Sequence, residues 1–258
     1  MSIVISKETI HRLLKDVKQI IKNPLTENGI YYIHDDEDML KGYALIVGPD
    51  ETPYFAGNYF FELNYPADYP HSPPVVKYYT NGNDIRFNPN LYKCGKVCIS
   101  LLNTWRGEQW TSCQTISTVL LTLCTLLCKE PLLNEPCVSK NHIDFNNYTD
   151  IIEYANINIA ICDILMRKKG VCIPFFDLFD LFIKENFLKN VEKVTKFVEN
   201  KSMIGKFSKS KVVKTGIYSM VVEIDYPTLL AKLKSCSDLL SSNNSNNSNN
   251  NYENHHIV

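Results

Sequence analysis

Residue types that can do chemistry crowd one part of this chain. Between Gly82 and Trp110 lie Asn88, Asn90, Cys94, Cys98 and Trp105. A cysteine thiolate is a good nucleophile, which makes Cys98 a candidate for covalent chemistry, with Cys94 beside it reading as an exposed loop residue. Taken alone, however, Cys98 is as simply read as a buried structural thiol, and Asn88 and Asn90, on either side of Pro89, as turn residues. The chain's 9 cysteines also raise the question of a metal. Cys94 and Cys98 are four apart, as are Cys124 and Cys128, and no Cys-x2-Cys or nearby His pair completes a zinc set, so no metal is expected. A cysteine hydrolase needs a histidine partner, and the histidines nearest in sequence are His71 and His142.

The chain must supply elements to hold that region. Its 258 residues carry 27 basic and 28 acidic side chains, a balance that argues against nucleic-acid binding. The odd cysteine count and the lack of a signal-like start at Met1 to Ser6 point to a reducing compartment, the cytoplasm or nucleus. No apolar run reaches the roughly 18 residues of a membrane span. Apolar residues at 10, 13, 14, 17, 20 and 21 predict a helix capped by Ser6 and stopped at Asn23-Pro24. Four strands follow: Ile30 to His34, Tyr43 to Val47, one around Tyr59 to Tyr65 with Phe60, Glu62 and Asn64 on a wet face, and Val75 to Tyr79. They read as an antiparallel meander, the acidic run Asp35 to Asp38 being a hairpin loop. Pro66, Pro70, Pro73 and Pro74 make the third connection a rigid extended loop. Residues 82–110 show no period, which is acceptable inside a compact domain when the stretch is functional.

Helical periodicity resumes at Ile116 and runs to Cys128, with Leu121, Cys124 and Cys128 apolar on the second side, so this helix is expected to be sandwiched. Further helices are expected over Tyr148 to Met166, Phe175 to about Val198, and Tyr226 to Leu240, with one strand over Gly216 to Glu223. Lys201 to Lys214 holds five lysines and no acid, and reads as a solvated connector, with recognition of an acidic partner as the alternative. From Ser241 to Asn251 the sequence is only Ser and Asn, expected to be a disordered tail.

The order of these pieces resembles the ubiquitin-conjugating enzymes: helix, meander, Tyr-Pro-rich loop, Asn88-Pro89-Asn90, Gly95-Lys96-Val97-Cys98, Trp110, and a helix ending Glu135-Pro136. The resemblance covers roughly residues 7 to 165, and Asn90 lying eight residues before Cys98 is its most specific part. It implies an α+β ubiquitin-conjugating fold over residues 1–165, a mainly helical C-terminal extension over 166–240 packed on or beside that core, and a disordered tail at 241–258. It further implies that Cys98 takes activated ubiquitin from a ubiquitin-activating enzyme as a thioester and passes it to a substrate lysine or a ligase cysteine. Asn90 would contact the tetrahedral oxyanion or support the loop. A free lysine has a pKa of about 10.4, so a nearby acceptor must help remove its proton. Glu135 stands where the family places an acidic or polar gate residue. No cofactor is implied.

Three features depart from the compact members of the family. The family's usual His-Pro-Asn is Asn88-Pro89-Asn90 here, which bears on loop stability more than on chemistry. The segment from Cys98 to Trp110 is longer, with Trp105 to Glu108 as the extra loop, and the chain continues well past the core. These features resemble the Z-type branch, whose members are loaded by an alternative ubiquitin-activating enzyme. His71 to Pro73 and Thr111 to Cys113 match the two loops that dock RING-type ligases in the family. Both lack its commoner residues, which leaves RING-type and thioester-type ligases open. Arg12, Lys15 and Lys18 read as a solvated helix face, although in the family that helix meets the activating enzyme.

Overall fold

The computed structural model describes residues 5–168, 171–203 and 207–246. Helix α1 spans Lys7–Lys22, and the Ser6 hydroxyl accepts the Thr9 N–H at 3.0 Å as its cap. Leu13, Val17 and Ile20 face the core. Asp16 is also buried, and is held there by Arg12 Nε at 3.0 Å and the Tyr69 hydroxyl at 2.5 Å. Arg12 is therefore not a solvated side chain. Its two terminal nitrogens donate to the carbonyls of Ser112 and Gln114, pinning that loop to α1, while Lys15, Lys18 and Lys22 stay exposed.

Strands β1 (Ile30–His34), β2 (Lys41–Val47), β3 (Asn58–Asn64) and β4 (Val75–Tyr78) form an antiparallel meander in sequence order. Tyr43 pairs with Ile33 and Glu62, and Val76 with Leu63. The expected wet face of β3 is covered at Phe60, while Glu62 and Asn64 stay partly exposed. Phe60 is fully buried, and its ring lies 5.9 to 6.3 Å from those of Phe175, Phe176 and Phe179. Alternation along one strand did not anticipate this, because the covering aromatics come from more than a hundred residues later in the chain. Tyr43 stacks on Phe175 at 4.5 Å, joining the same patch.

Helix α2, Ile116–Leu126, starts in a capping box between Thr115 and Thr118 and buries Ile116, Val119, Leu120, Leu123 and Leu126. The second side is not sandwiched as expected: Leu121 is exposed, and Cys124 and Cys128 are half-buried. Helix α3, Phe145–Ala155, passes directly into a π-helical stretch, Asn156–Asp163. The wider helix leaves the Ala160 carbonyl to accept from Asn58 Nδ2 at 3.0 Å. At its start, Asn156 accepts from the Tyr59 hydroxyl at 2.7 Å and donates to Phe55 O at 2.9 Å. A Cβ on Gly57 would lie 1.9 Å from Asn156 Oδ1, so a side chain there would displace that amide.

Helix α4 spans Asp180–Met203, and α5 spans Tyr226–Asn246. Between them, where one strand was expected, are two: β5 (Lys211–Lys214) and β6 (Val221–Ile224), an antiparallel hairpin. Lys211 and Lys214 therefore belong to a strand rather than a connector. Alternation from Lys211 to Lys214 is too short to be read from sequence, and the pairing with β6 defines it. Helix α5 buries Leu229, Leu233, Cys236 and Leu240, and runs past the expected end at Leu240; the tail beyond residue 246 lies outside the described residues. Among those residues no helix is long and apolar enough to cross a membrane.

The coverage of Phe60 makes it a core residue. Phe60→Ala is expected to lower the free energy of unfolding by about 3–5 kcal/mol, and Phe179→Ala by a similar amount. Urea unfolding measures both, and losses under about 1 kcal/mol would show that the outer face of the sheet is not part of the cooperative core.

Candidate active site

The aperiodic stretch is held by short pairings instead of long elements. Isolated bridges join Asn88 to Leu91, Leu91 to Val97, and Lys77 to Lys96. Gly95 turns the chain with φ +89°, and a Cβ there would lie 2.8 Å from the Tyr78 carbonyl. The turn brings Cys98 back onto Asn90. Cys98 N donates to Asn90 O at 2.9 Å, and Asn90 Nδ2 donates to Cys98 O at 2.7 Å. The Asn90 amide thus supports the Cys98 backbone directly with one of its two N–H bonds.

Cys98 is buried, with its thiol donating to the Thr104 carbonyl at 2.8 Å. Thr104 also clamps the chain around the cysteine: its hydroxyl accepts Ile99 N at 2.9 Å and lies 3.2 Å from Val97 O. The loop from Asn103 to Gln109 is otherwise exposed. Asn103 opens it with φ +56°, and its side chain accepts the Trp110 N–H at 2.9 Å. Trp110 closes it by donating Nε1 to Pro70 O at 2.7 Å, so the two loops expected to dock a ligase are tied together. His71, Thr111, Ser112 and Cys113 are exposed on them.

Asn88 is fully buried, and its amide is used on every side. Nδ2 donates to Leu126 O at 2.7 Å and to the Tyr54 hydroxyl at 3.1 Å, while Oδ1 accepts Asn90 N at 2.9 Å. The Tyr54 hydroxyl in turn donates to Phe87 O at 2.6 Å, and complete burial pushes its pKa well up, keeping it a donor. Asn134 Nδ2 approaches Asn88 Oδ1 at 3.5 Å, placing the next residue, Glu135, beside this loop. Glu135 is half-buried, and its carboxylate accepts the hydroxyl of Tyr218.

The structure therefore brings Asn90 onto Cys98 and sets Glu135 against the same loop. Three contributors were not singled out from sequence. Asn103 and Thr104 immediately precede the expected extra loop, and the tolerance of asparagine for positive φ was the one local signal. Arg86, which donates to Asn88 O at 3.1 Å and Pro89 O at 2.6 Å, entered only as part of the Arg86-Phe87-Asn88-Pro89-Asn90 run that resembles the Z-type branch, with no role assigned to it. Neither histidine considered as a hydrolase partner turns to Cys98: His71 pairs with Glu8 at 3.6 Å, and His142 Nδ1 accepts Asp144 N at 3.1 Å.

Residues 12–154 match the family model described as ubiquitin-conjugating enzyme. The ubiquitin-conjugating enzyme E2 Z of Danio rerio is 41% identical over 166 residues, which are 63% of this chain and 50% of that protein. The Homo sapiens protein of the same name is 37% identical over 188 residues, 67% of this chain and 52% of that protein. Among solved structures, human ubiquitin-conjugating enzyme E2 G1 aligns with a TM-score of 0.41 and 30% identity, covering 48% of this chain and 97% of its own. The chain belongs to the ubiquitin-conjugating enzyme family, on the side of its Z-type branch. It spans about half the length of the curated relatives it matches.

Asn88→Ala would strip partners from the Tyr54 hydroxyl, Leu126 O and Asn90 N at once. We expect a loss of about 2–3 kcal/mol in unfolding free energy, read by chemical denaturation. Asn88→Asp should be at least as harmful, since a carboxylate cannot donate to Leu126 O. Near-wild-type stability for either variant would contradict the role given to this amide.

Proposed function

We propose that this chain accepts ubiquitin from an activating enzyme as a thioester on Cys98 and transfers it to a lysine amine or a ligase cysteine. The observation that carries this reading is the reciprocal pair of hydrogen bonds between Asn90 and Cys98, in a chain of this family. In the charging step, the Cys98 thiolate attacks the thioester carbonyl of ubiquitin's C-terminus on the activating enzyme; the new C–S bond forms as the old one breaks, and the activating enzyme's cysteine leaves as a thiolate. The bond from the thiol to Thr104 O is surrendered, since an acylated sulfur has no proton to donate. Attack on the thioester then builds negative charge on the carbonyl oxygen. Asn90, with one N–H left beyond its bond to Cys98 O, would supply the donor for that charge. Glu135 serves as an acceptor for the proton of the incoming amine.

The same reading takes residues 1–165 as the conjugating core and 166–240 as an extension upon it, working in the cytoplasm or nucleus. Ligases would meet the exposed His71 and Thr111 to Cys113 loops, which Trp110 and Arg12 hold in a fixed relation to α1. The E2 Z relatives and the extra loop after Cys98 support loading by the alternative activating enzyme.

Incubation with activating enzyme, ATP and ubiquitin should give a reductant-sensitive adduct that Cys98→Ala abolishes and Cys98→Ser converts to a reductant-stable ester. Asn90→Ala should slow single-turnover discharge to free lysine by about 100-fold. An adduct on Cys98→Ala, or binding of ubiquitin by the wild type without charging, would overturn the assignment.

A further inference from the structure

The loop of the β5–β6 hairpin, Gly216 to Ser219, reaches back to the loop that carries Asn90. It is fastened to α3 and the residue before it: Ile217 N donates to Asp144 Oδ2 at 2.9 Å, and Asn147 Nδ2 donates to Lys214 O at 3.1 Å. At its tip, Tyr218 has φ +61° and Ser219 φ +49°, a left-handed backbone that an aromatic residue seldom adopts. That conformation puts the Tyr218 ring against the Arg86 guanidinium, 4.7 Å from the ring centroid. Arg86 lies 3.5 Å from the centroid of Tyr92 as well. The ring edge carries the hydroxyl to Glu135 Oε2. Strained backbone that survives in a folded chain is held by its surroundings, and it concentrates where a side chain must be aimed.

We propose that Tyr218, on the C-terminal extension, is a positioning residue for acceptor attack: its hydroxyl fixes Oε2 of Glu135 and leaves Oε1 turned toward the amine that approaches Cys98. This inference rests on the reading of Cys98 as the thioester carrier. A glutamate carboxylate on a turn explores several rotamers, and a proton acceptor works in proportion to the time it spends within hydrogen-bond reach of the proton. Anchoring one oxygen to a phenol that is itself wedged on Arg86 removes that search. In the step served, an ammonium loses one proton through Glu135 and its nitrogen bonds the thioester carbon. The C–S bond breaks with its electron pair going to Sγ, a second proton leaves the nitrogen as the amide forms, and the sulfur takes a proton from solvent.

The test uses the full chain, charged with ubiquitin on Cys98 and then chased in single turnover. Tyr218→Phe keeps the ring on Arg86 and removes the hydroxyl. It should charge at the wild-type rate and discharge to free lysine about tenfold more slowly. Discharge to hydroxylamine, already a neutral nucleophile at pH 7, should be unchanged, which a merely structural lesion would not allow. Glu135→Gln should reproduce the lysine defect, and Tyr218→Phe added to Glu135→Gln should slow it no further. Lysine discharge by Tyr218→Phe at or above the wild-type rate, equal slowing with hydroxylamine, or independent effects of the two substitutions would overturn the proposal while leaving Cys98 in place. Failure of the wild type to charge would instead remove the thioester reading, and this role with it.

Discussion

Burying an amide side chain is tolerable when its hydrogen-bonding atoms all find partners, and the buried amide of Asn88 is where three parts of this molecule meet. One partner, Tyr54, lies on the loop between β2 and β3; another is the last carbonyl of α2; the third is the backbone of Asn90. The sheet, the central helix and the reactive loop therefore share one set of hydrogen bonds. The departure from His-Pro-Asn is accommodated because a carboxamide offers both a two-hydrogen donor and an acceptor. A neutral imidazole offers one of each, so the asparagine can reach Leu126 O and Tyr54 together while still accepting from Asn90. With Asn88 holding the Asn90 backbone, the Asn90 side chain is left to brace the Cys98 carbonyl.

What could be read in advance follows the range of the interactions. The Ser6 cap, the periodicity of α1 and α2 and the four strands rest on residues near one another in sequence, and they stand close to their expected bounds. The pairing of Asn90 with Cys98 was legible only through the family resemblance, in which their eight-residue spacing is the most specific part, and a single turn at Gly95 closes it. The wet face assigned to β3 failed at Phe60 for the opposite reason. Phe60 is covered by Phe175, Phe176 and Phe179, and nothing in the alternation of β3 encodes that visit. Arg12 misled in the same way: its spacing on α1 places it at the edge of a polar face, but its partners Ser112 and Gln114 arrive from a hundred residues away. The solvated reading of Lys211 and Lys214 gave way to strand β5 because a four-residue strand has no periodic signature of its own.

The long-range contacts also show why the last third of the chain cannot be regarded as an appendage. Its aromatics close one face of the sheet, and α5 supplies Lys232 to the buried Asp163 at 2.7 Å, a pairing that a charge in that position requires. Asn186 of α4 donates to Ala56 O and Asn58 Oδ1, and Asn58 in turn holds the π-helical carbonyl of Ala160. Removing these residues would expose apolar surface and leave polar groups in the core without partners.

Arg86 carries this coupling from the packing into the reactive loop. Its guanidinium holds the carbonyls of Asn88 and Pro89, so the peptide planes on either side of Pro89 are fixed from outside the loop. Proline fixes φ, but it leaves ψ free, and it is the carbonyl orientation that Arg86 determines. With both planes set, the direction in which the Asn90 side chain leaves the backbone is set too. The rings of Tyr92 and Tyr218 shield that guanidinium from water, which strengthens its hold on the two carbonyls. A shift of the hairpin tip therefore acts at two points of the site, on Glu135 through the Tyr218 hydroxyl and on Asn90 through Arg86. Tyr218, from beyond the matched family region, thus touches both the residue that fixes the Asn88 and Pro89 carbonyls and Glu135.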